Sequence, residues 1–209
     1  MTHYPEINTR VLQFMSQQPL GTQYGNGECW TLAEGSVIAA GAQGSRPQTP
    51  HFGARSAYVW GDRETNLANI QPGDIVQFIN YQARWETRFR GPGEPAPGRM
   101  EGVPHVRRQT HHTAIVRAVI VPGQLLEVYE QNVSSVQGII TTNPRLVQIN
   151  QLALVNLTAQ TISRQNGSGD TEQVTSTFTV LHAGLRFYHP HPPAASHPHR
   201  HTHRQAASH

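Results

Sequence analysis

The sequence predicts an α+β fold, and three observations carry that prediction. Apolar residues at helical spacing occupy the first forty positions, strand-like stretches fill the rest, and 18 glycines with 15 prolines favour a loop-rich chain over a helical bundle. At 209 residues the chain suffices for one domain with a real core. That domain is expected over residues 1–188, with a disordered tail over 189–209.

The elements follow in order. Pro5, Ile7, Val11, Phe14 and Met15 set a helix over residues 5–17, which ends before Pro19. A glycine-broken loop runs from Gly21 to Gly27. Leu32, Ala33, Ser36, Val37 and Ala40 then describe a second helix, beginning at Cys29 and closed by Gly41. Residues 42–56 form a polar loop that leads into the aromatic stretch Tyr58-Val59-Trp60. Pro72-Gly73-Asp74 is a turn feeding a strand over Ile75–Ile79, and residues 91–104 form a further Gly/Pro-rich loop. The strands Thr113–Ile120 and Leu125–Glu130 flank Pro122-Gly123 and read as an antiparallel hairpin. Leu146–Thr158 is β-rich, Ser163–Asp170 is a polar gap, and strands at Val174–Leu181 and Leu185–Tyr188 close the fold. From His189 the chain is dominated by His and Pro, with no apolar periodicity with which to bury a core.

Composition narrows the function classes. All 16 basic residues are arginine and the formal charge is only +3, with no basic run interleaved with aromatics. No nucleic-acid partner is expected. No apolar run approaches the ~20 residues that span a membrane, and M-T-H-Y-P-E-I-N-T-R shows no charged leader followed by an apolar segment. A cytoplasmic chain, or one exported by a leaderless route, is the expectation. A single cysteine excludes an internal disulfide and a four-thiolate zinc site. The alternating His197, His199, His201 and His203 are expected to bind metal only adventitiously, so no metal or other cofactor is predicted.

The lone cysteine then becomes the focus. A thiol attacks a carbonyl as thiolate, and its pKa must fall from ~8.5 for that. A helix N-terminus supplies part of the shift, and a histidine in reach supplies more. Cys29 stands at a helix start. His112 precedes an apolar strand that would hold it rigidly, while His111 points to the opposite face and is a structural or rim residue. In the hairpin, the start of the first strand lies beside the end of the second, which brings His112 near Glu130 and Asn132. Either can accept from the second ring nitrogen. A tetrahedral oxyanion needs two donors: the backbone N–H of Cys29 is one, and Gln23, six residues upstream, could supply the other.

Taken together, Q-Y-G-N-G-E-C-W-T-L-A, P-G-D-I-V-Q-F, H-H-T-A-I-V and E-Q-N, in that order, resemble the CHAP family of amidohydrolases and peptidases and the related NlpC-type family, both with a papain-like fold. The resemblance spans about residues 20–132, with a fainter echo at Gly184–Pro190. It implies a papain-like (CHAP/NlpC-type) fold with N-terminal helices packed on an antiparallel sheet. It further implies Cys29 as nucleophile, His112 as base, and Glu130 or Asn132 as third member. The acidic calcium loop found in some such domains has no counterpart in G-T-Q-Y-G-N-G-E.

The expected activity is hydrolysis of an amide bond through a thioester, on a peptide or peptidoglycan substrate, by a monomer. Trp30, Trp60 and His111 are expected at the substrate groove, the two tryptophans also serving as core aromatics. A protease, a deubiquitinase-like isopeptidase or acyltransferase, and a non-catalytic peptide- or metal-binding module on the same fold are the alternatives.

Overall fold

The computed structural model describes residues 4–54, 56–90, 105–133, 143–165 and 171–194. The expected loop at 91–104, most of the polar gap and the tail from 195 lie outside these residues.

Helix α1 spans Pro5–Ser16 and helix α2 spans Cys29–Ala39. Pro5 opens α1, where its missing N–H costs no hydrogen bond, and Ile7, Val11 and Met15 recur along one buried face. The strands are β1 (Asp62–Glu64), β2 (Ile75–Arg90), β3 (His105–Val121), β4 (Leu125–Glu130), β5 (Gln148–Ala153), β6 (Leu157–Gln165) and β7 (Thr171–His189). Among the described residues they form one seven-stranded antiparallel sheet in the order β1-β7-β2-β3-β4-β5, with β6 also on β7.

Alternation along the central strands makes both faces apolar. Ile75, Ile115 and Tyr188 join Ile7, Val11, Met15, Leu32 and Val37 in a core between the helices and one face. Val76, Ala114, Val116, Val128 and Phe187 point the other way, into a second core with Phe78, Leu126 and Leu152. The sheet curls around that second core, far enough for the Tyr81 hydroxyl of β2 to donate to the carbonyl of Ala153 at the end of β5, at 2.8 Å. Each fully buried aliphatic side chain contributes about 2 kcal/mol, so the two cores hold the α+β arrangement together from both faces.

Several strands differ from expectation. β2 does not stop at Ile79: it passes an irregularity between Phe78 and Tyr81, where Asn80 takes φ 61°, and runs on to Arg90. Gly184 of β7 lies against this bulge, and a Cβ there would collide with the carbonyl of Ile79. The two expected closing strands are one, since β7 runs unbroken from Thr171 to His189 past this bulge. β3 starts earlier than Thr113, at His105. The β-rich stretch at 146–158 is cut into β5 and β6 by a bend at Leu154–Val155.

The start expected for the tail is also shifted. His189 belongs to β7, is buried, and bonds to Asp74 and Glu64, while Gln43 N–H donates to the carbonyl of His191.

Candidate active site

The glycine loop and α2 place Cys29. Glu28 caps the helix in extended conformation, so Cys29 is its first residue. The loop before it is tied down from two sides. Gly21 and Thr22 pair with Val147 through backbone hydrogen bonds of 2.9 and 2.8 Å. Gln131, just past β4, accepts from Tyr24 N–H at 2.8 Å and donates to the carbonyls of Tyr24 and Glu28 at 3.0 and 3.2 Å. Gly27 has φ +83°, and a Cβ on it would lie 2.8 Å from Arg145 Cβ, so both conformation and space require glycine.

Strands β2–β4 place the histidine. His112 pairs with Phe78 of β2, and the two rings meet edge to face at 5.2 Å. β4 pairs with β3 only as far as Ile115, which leaves the backbone of Thr113 open to hydrogen-bond with Cys29. The hairpin argument holds for Glu130: its Oε2 lies 2.9 Å from His112 Nε2, with side-chain exposures of 2% for the histidine and 0% for the glutamate. Its Oε1 accepts from Asn150 Nδ2 at 2.8 Å. With Nε2 on Glu130, Nδ1 is the ring nitrogen left for Cys29.

Electrostatics follow from this geometry. Burial raises the Cys29 thiol, but the charge and hydrogen bond of His112, with backbone hydrogen bonds of Thr113 and Trp30, bring it below its ordinary 9.0. For His112, burial lowers the imidazole, while the Cys29 thiolate and then Glu130 raise it to about 9. Each group therefore favours the charged form of the other, thiolate beside imidazolium. Burial and then the charge on Cys29 raise the Tyr58 hydroxyl in turn.

The pair opens on a cleft of about 430 Å³. Its walls include Asn26, Glu28, Trp30, Arg46, Phe52, Tyr58, Gln109, His111, Thr113 and Asn132. Trp30, Phe52 and Tyr58 form an aromatic wall with ring centres 5.4 to 6.3 Å apart.

Three expected site residues sit elsewhere or differently. Gln23 is exposed, donates its amide to the carbonyl of Gly25 at 3.1 Å, and does not line the cleft. Asn26 lines it instead, with Oδ1 accepting from Glu28 N–H and the Thr31 hydroxyl. Trp60 is fully buried, its Nε1 donating to Gln77 Oε1 at 3.2 Å, so it lies in the core and not at the groove. Asn132 borders the cleft in left-handed conformation (φ 64°), but its Nδ2 donates to Glu28 Oε2 at 2.8 Å and not to His112. Trp30 and His111 do stand at the cleft, Trp30 donating to Ser45 Oγ at 2.8 Å.

Sequence reasoning missed Asn26, Tyr58, Gln131 and Asn150. Of these, Asn26 and Gln131 stood in motifs already singled out and Tyr58 in the aromatic stretch, whereas nothing local marked Asn150. Among the described residues no group of three or more His, Cys, Asp or Glu could hold a metal ion, and no helix is long and apolar enough to cross a membrane.

Helices on an antiparallel sheet, with a cysteine at a helix start and a histidine from the sheet, define the cysteine proteinase fold. The family model described as the AIM3/BBC1 cysteine proteinase-fold domain matches residues 2–159, and the chain belongs to that family. The match covers α1 through β5, and with them every residue of the Cys29 cleft. No curated protein and no solved structure matches the chain.

Proposed function

We propose that this chain is a cysteine-dependent hydrolase of amide bonds, working through a thioester. The observation that carries the reading is the arrangement of half-buried Cys29 against the buried His112–Glu130 pair, in which the thiol is lowered and the imidazole raised to about 9. Cys29 is the nucleophile, His112 the acid and base, and Glu130 the residue that orients the imidazolium. The thiolate adds to the carbonyl carbon, His112 passes its proton to the leaving nitrogen, and the C–N bond breaks. His112 then takes a proton from water as it cleaves the thioester, and thiolate and imidazolium are restored. Backbone N–H groups at the start of α2 stabilise the oxyanion, and Asn26, whose side chain borders the cleft where Gln23 does not, is the candidate for a side-chain donor.

Peptide-type amides are the substrate class. The motif resemblance to CHAP and NlpC-type domains makes the peptide stem of peptidoglycan the first to test, and the cysteine proteinase-fold family equally supports a peptide or isopeptide bond in a protein. A non-catalytic peptide-binding module is favoured by one observation, the placement of Gln23 away from the cleft.

Alkylation separates enzyme from binding module. Iodoacetamide near neutral pH is expected to label Cys29 rapidly, and His112→Ala to slow that labelling. Ordinary thiol reactivity that ignores the histidine rejects the hydrolase reading. Purified peptidoglycan and ubiquitin conjugates, each followed by mass analysis of released fragments, then rank the substrates.

A further inference from the structure

The cleft holds more than a nucleophile. Among the described residues that line it, Arg46 is the only arginine. Its guanidinium carbon lies over the Phe52 ring, 4.7 Å from its centre, a cation–π position that holds the head group at the aromatic wall. Arg46 is exposed, and among the described residues no carboxylate forms an ion pair with it.

Its root is held rigidly. Ser45, one residue before it, is fully buried, and both its N–H and its hydroxyl donate to Glu34 Oε2 of α2 at 2.8 Å. Ser45 Oγ also accepts from the indole of Trp30, the residue after Cys29. A hydrogen-bonded path thus connects the residue next to the nucleophile to the base of the arginine. The carboxylate in the wall, Glu28, is already engaged: Oε2 accepts from Asn132, and Oε1 lies 3.9 Å from Arg145. The cleft therefore offers an uncommitted cation beside an aromatic wall.

We propose that Arg46 is a specificity residue that receives a carboxylate of the substrate next to the scissile amide. Phe52, Trp30 and Tyr58 take the flat or apolar portion of the same group. A guanidinium binds a carboxylate through two parallel N–H donors, and the Phe52 ring beneath Arg46 keeps that fork at the cleft. The carboxylate is that of an acidic side chain or a free chain terminus, which share this chemistry. The inference rests on Cys29 acting as nucleophile.

Three chloroacetamides test it: chloroacetyl-glutamine amide, which is neutral, chloroacetyl-glutamate amide, acidic in its side chain, and chloroacetyl-glutamine, acidic at its terminus. In each, the thiolate forms an S–C bond and chloride leaves. One acidic reagent is expected to outpace the neutral one, and which one identifies the carboxylate. Arg46→Gln should cut that rate ratio about three- to fivefold, as for an exposed ion pair. Arg46→Lys should restore part of it, because charge returns without the planar fork. The neutral reagent is the internal reference in every variant. A ratio equal in wild type and Arg46→Gln, alongside fast and His112-dependent labelling by iodoacetamide, overturns the arginine role alone. Slow labelling by every reagent, indifferent to His112→Ala, overturns the nucleophile reading and this inference together.

Discussion

The Nε2 atom of His112 stands 2.9 Å from Oε2 of Glu130, and both side chains are closed off from solvent. A buried imidazolium without a counter-charge would be costly, so the glutamate does more than aim the ring. Asn150, itself buried, completes the carboxylate's coordination through Oε1.

Replacing Glu130 by Gln keeps the shape but removes the charge that helps raise His112 to about 9. The imidazolium weakens, and the thiolate it supports becomes scarcer at mildly acidic pH. Iodoacetamide labelling at about pH 6 should drop by about tenfold for each unit of pKa support lost, since one unit is about 1.4 kcal/mol between the two protonation states. Glu130→Ala should also cost about 3–5 kcal/mol in stability, measured by chemical denaturation, because it strands a buried charge. Wild-type labelling in Glu130→Gln at that pH would refute the arrangement.

The pH dependence separates alkylation from hydrolysis. With Cys29 lowered from its ordinary 9.0 and His112 raised to about 9, the two shifts together favour a thiolate–imidazolium pair below about pH 9. Alkylation should hold a plateau there, fall on the acid side as the thiolate is protonated, and change again near pH 9 as the imidazolium is lost. Peptide hydrolysis needs that imidazolium to protonate the leaving amine, so its rate should decline above about pH 9. A single titration at an ordinary thiol pKa would contradict the ion pair.

What could be read from the sequence was what local pattern controls. Cys29 was legible because the apolar spacing after it and the glycines before it mark a helix start. The His112–Glu130 pair was legible because a two-stranded hairpin converts positions along the chain into proximity. Gln23 misled because the path of its loop is set by Gln131, 107 residues from its partner Tyr24, and no local rule reaches that far. Trp60 misled because the neighbouring Gly61-Asp62 reads as surface, whereas Gln77 of β2 draws the indole inward. The lengths of β2 and β7 escaped because a bulge at Asn80 and Gly184 breaks the alternation that both strands resume beyond it.

The two tryptophans should part company in solution. Trp60→Phe removes a hydrogen bond to Gln77 and leaves a void in the main core, at a cost of about 1–3 kcal/mol in denaturant unfolding. It does not line the cleft and meets its wall only through an edge contact with the Tyr58 ring at 6.0 Å, so iodoacetamide labelling of the folded variant should stay close to the wild type. Trp30→Ala opens the aromatic wall and unties Ser45, so labelling by the acidic and neutral chloroacetamides should change in relative rate. Equal labelling phenotypes for the two variants would contradict their placement.

A second charged constellation lies at the end of β7, apart from the cleft. His189 Nδ1 is 2.8 Å from Asp74 Oδ1 and Nε2 is 3.2 Å from Glu64 Oε2, joining β7 to the turn before β2 and to β1. Asp74 Oδ1 also accepts from Asn8 of α1 at 2.8 Å, so the knot reaches the helical layer. The Asp74 hydrogen bond, opposed by burial and reinforced by the charges of Asp74 and Glu64, raises the imidazole above its ordinary 6.5. A group whose folded pKa is raised stabilises fully below its unfolded value and loses that contribution as pH climbs through the folded one. The gap in thermal midpoint between the wild type and His189→Gln should therefore be widest below pH 6.5 and narrow as pH rises above it. A gap that stays constant from about pH 5.5 to about pH 9 would show that His189 holds the knot as a neutral ring.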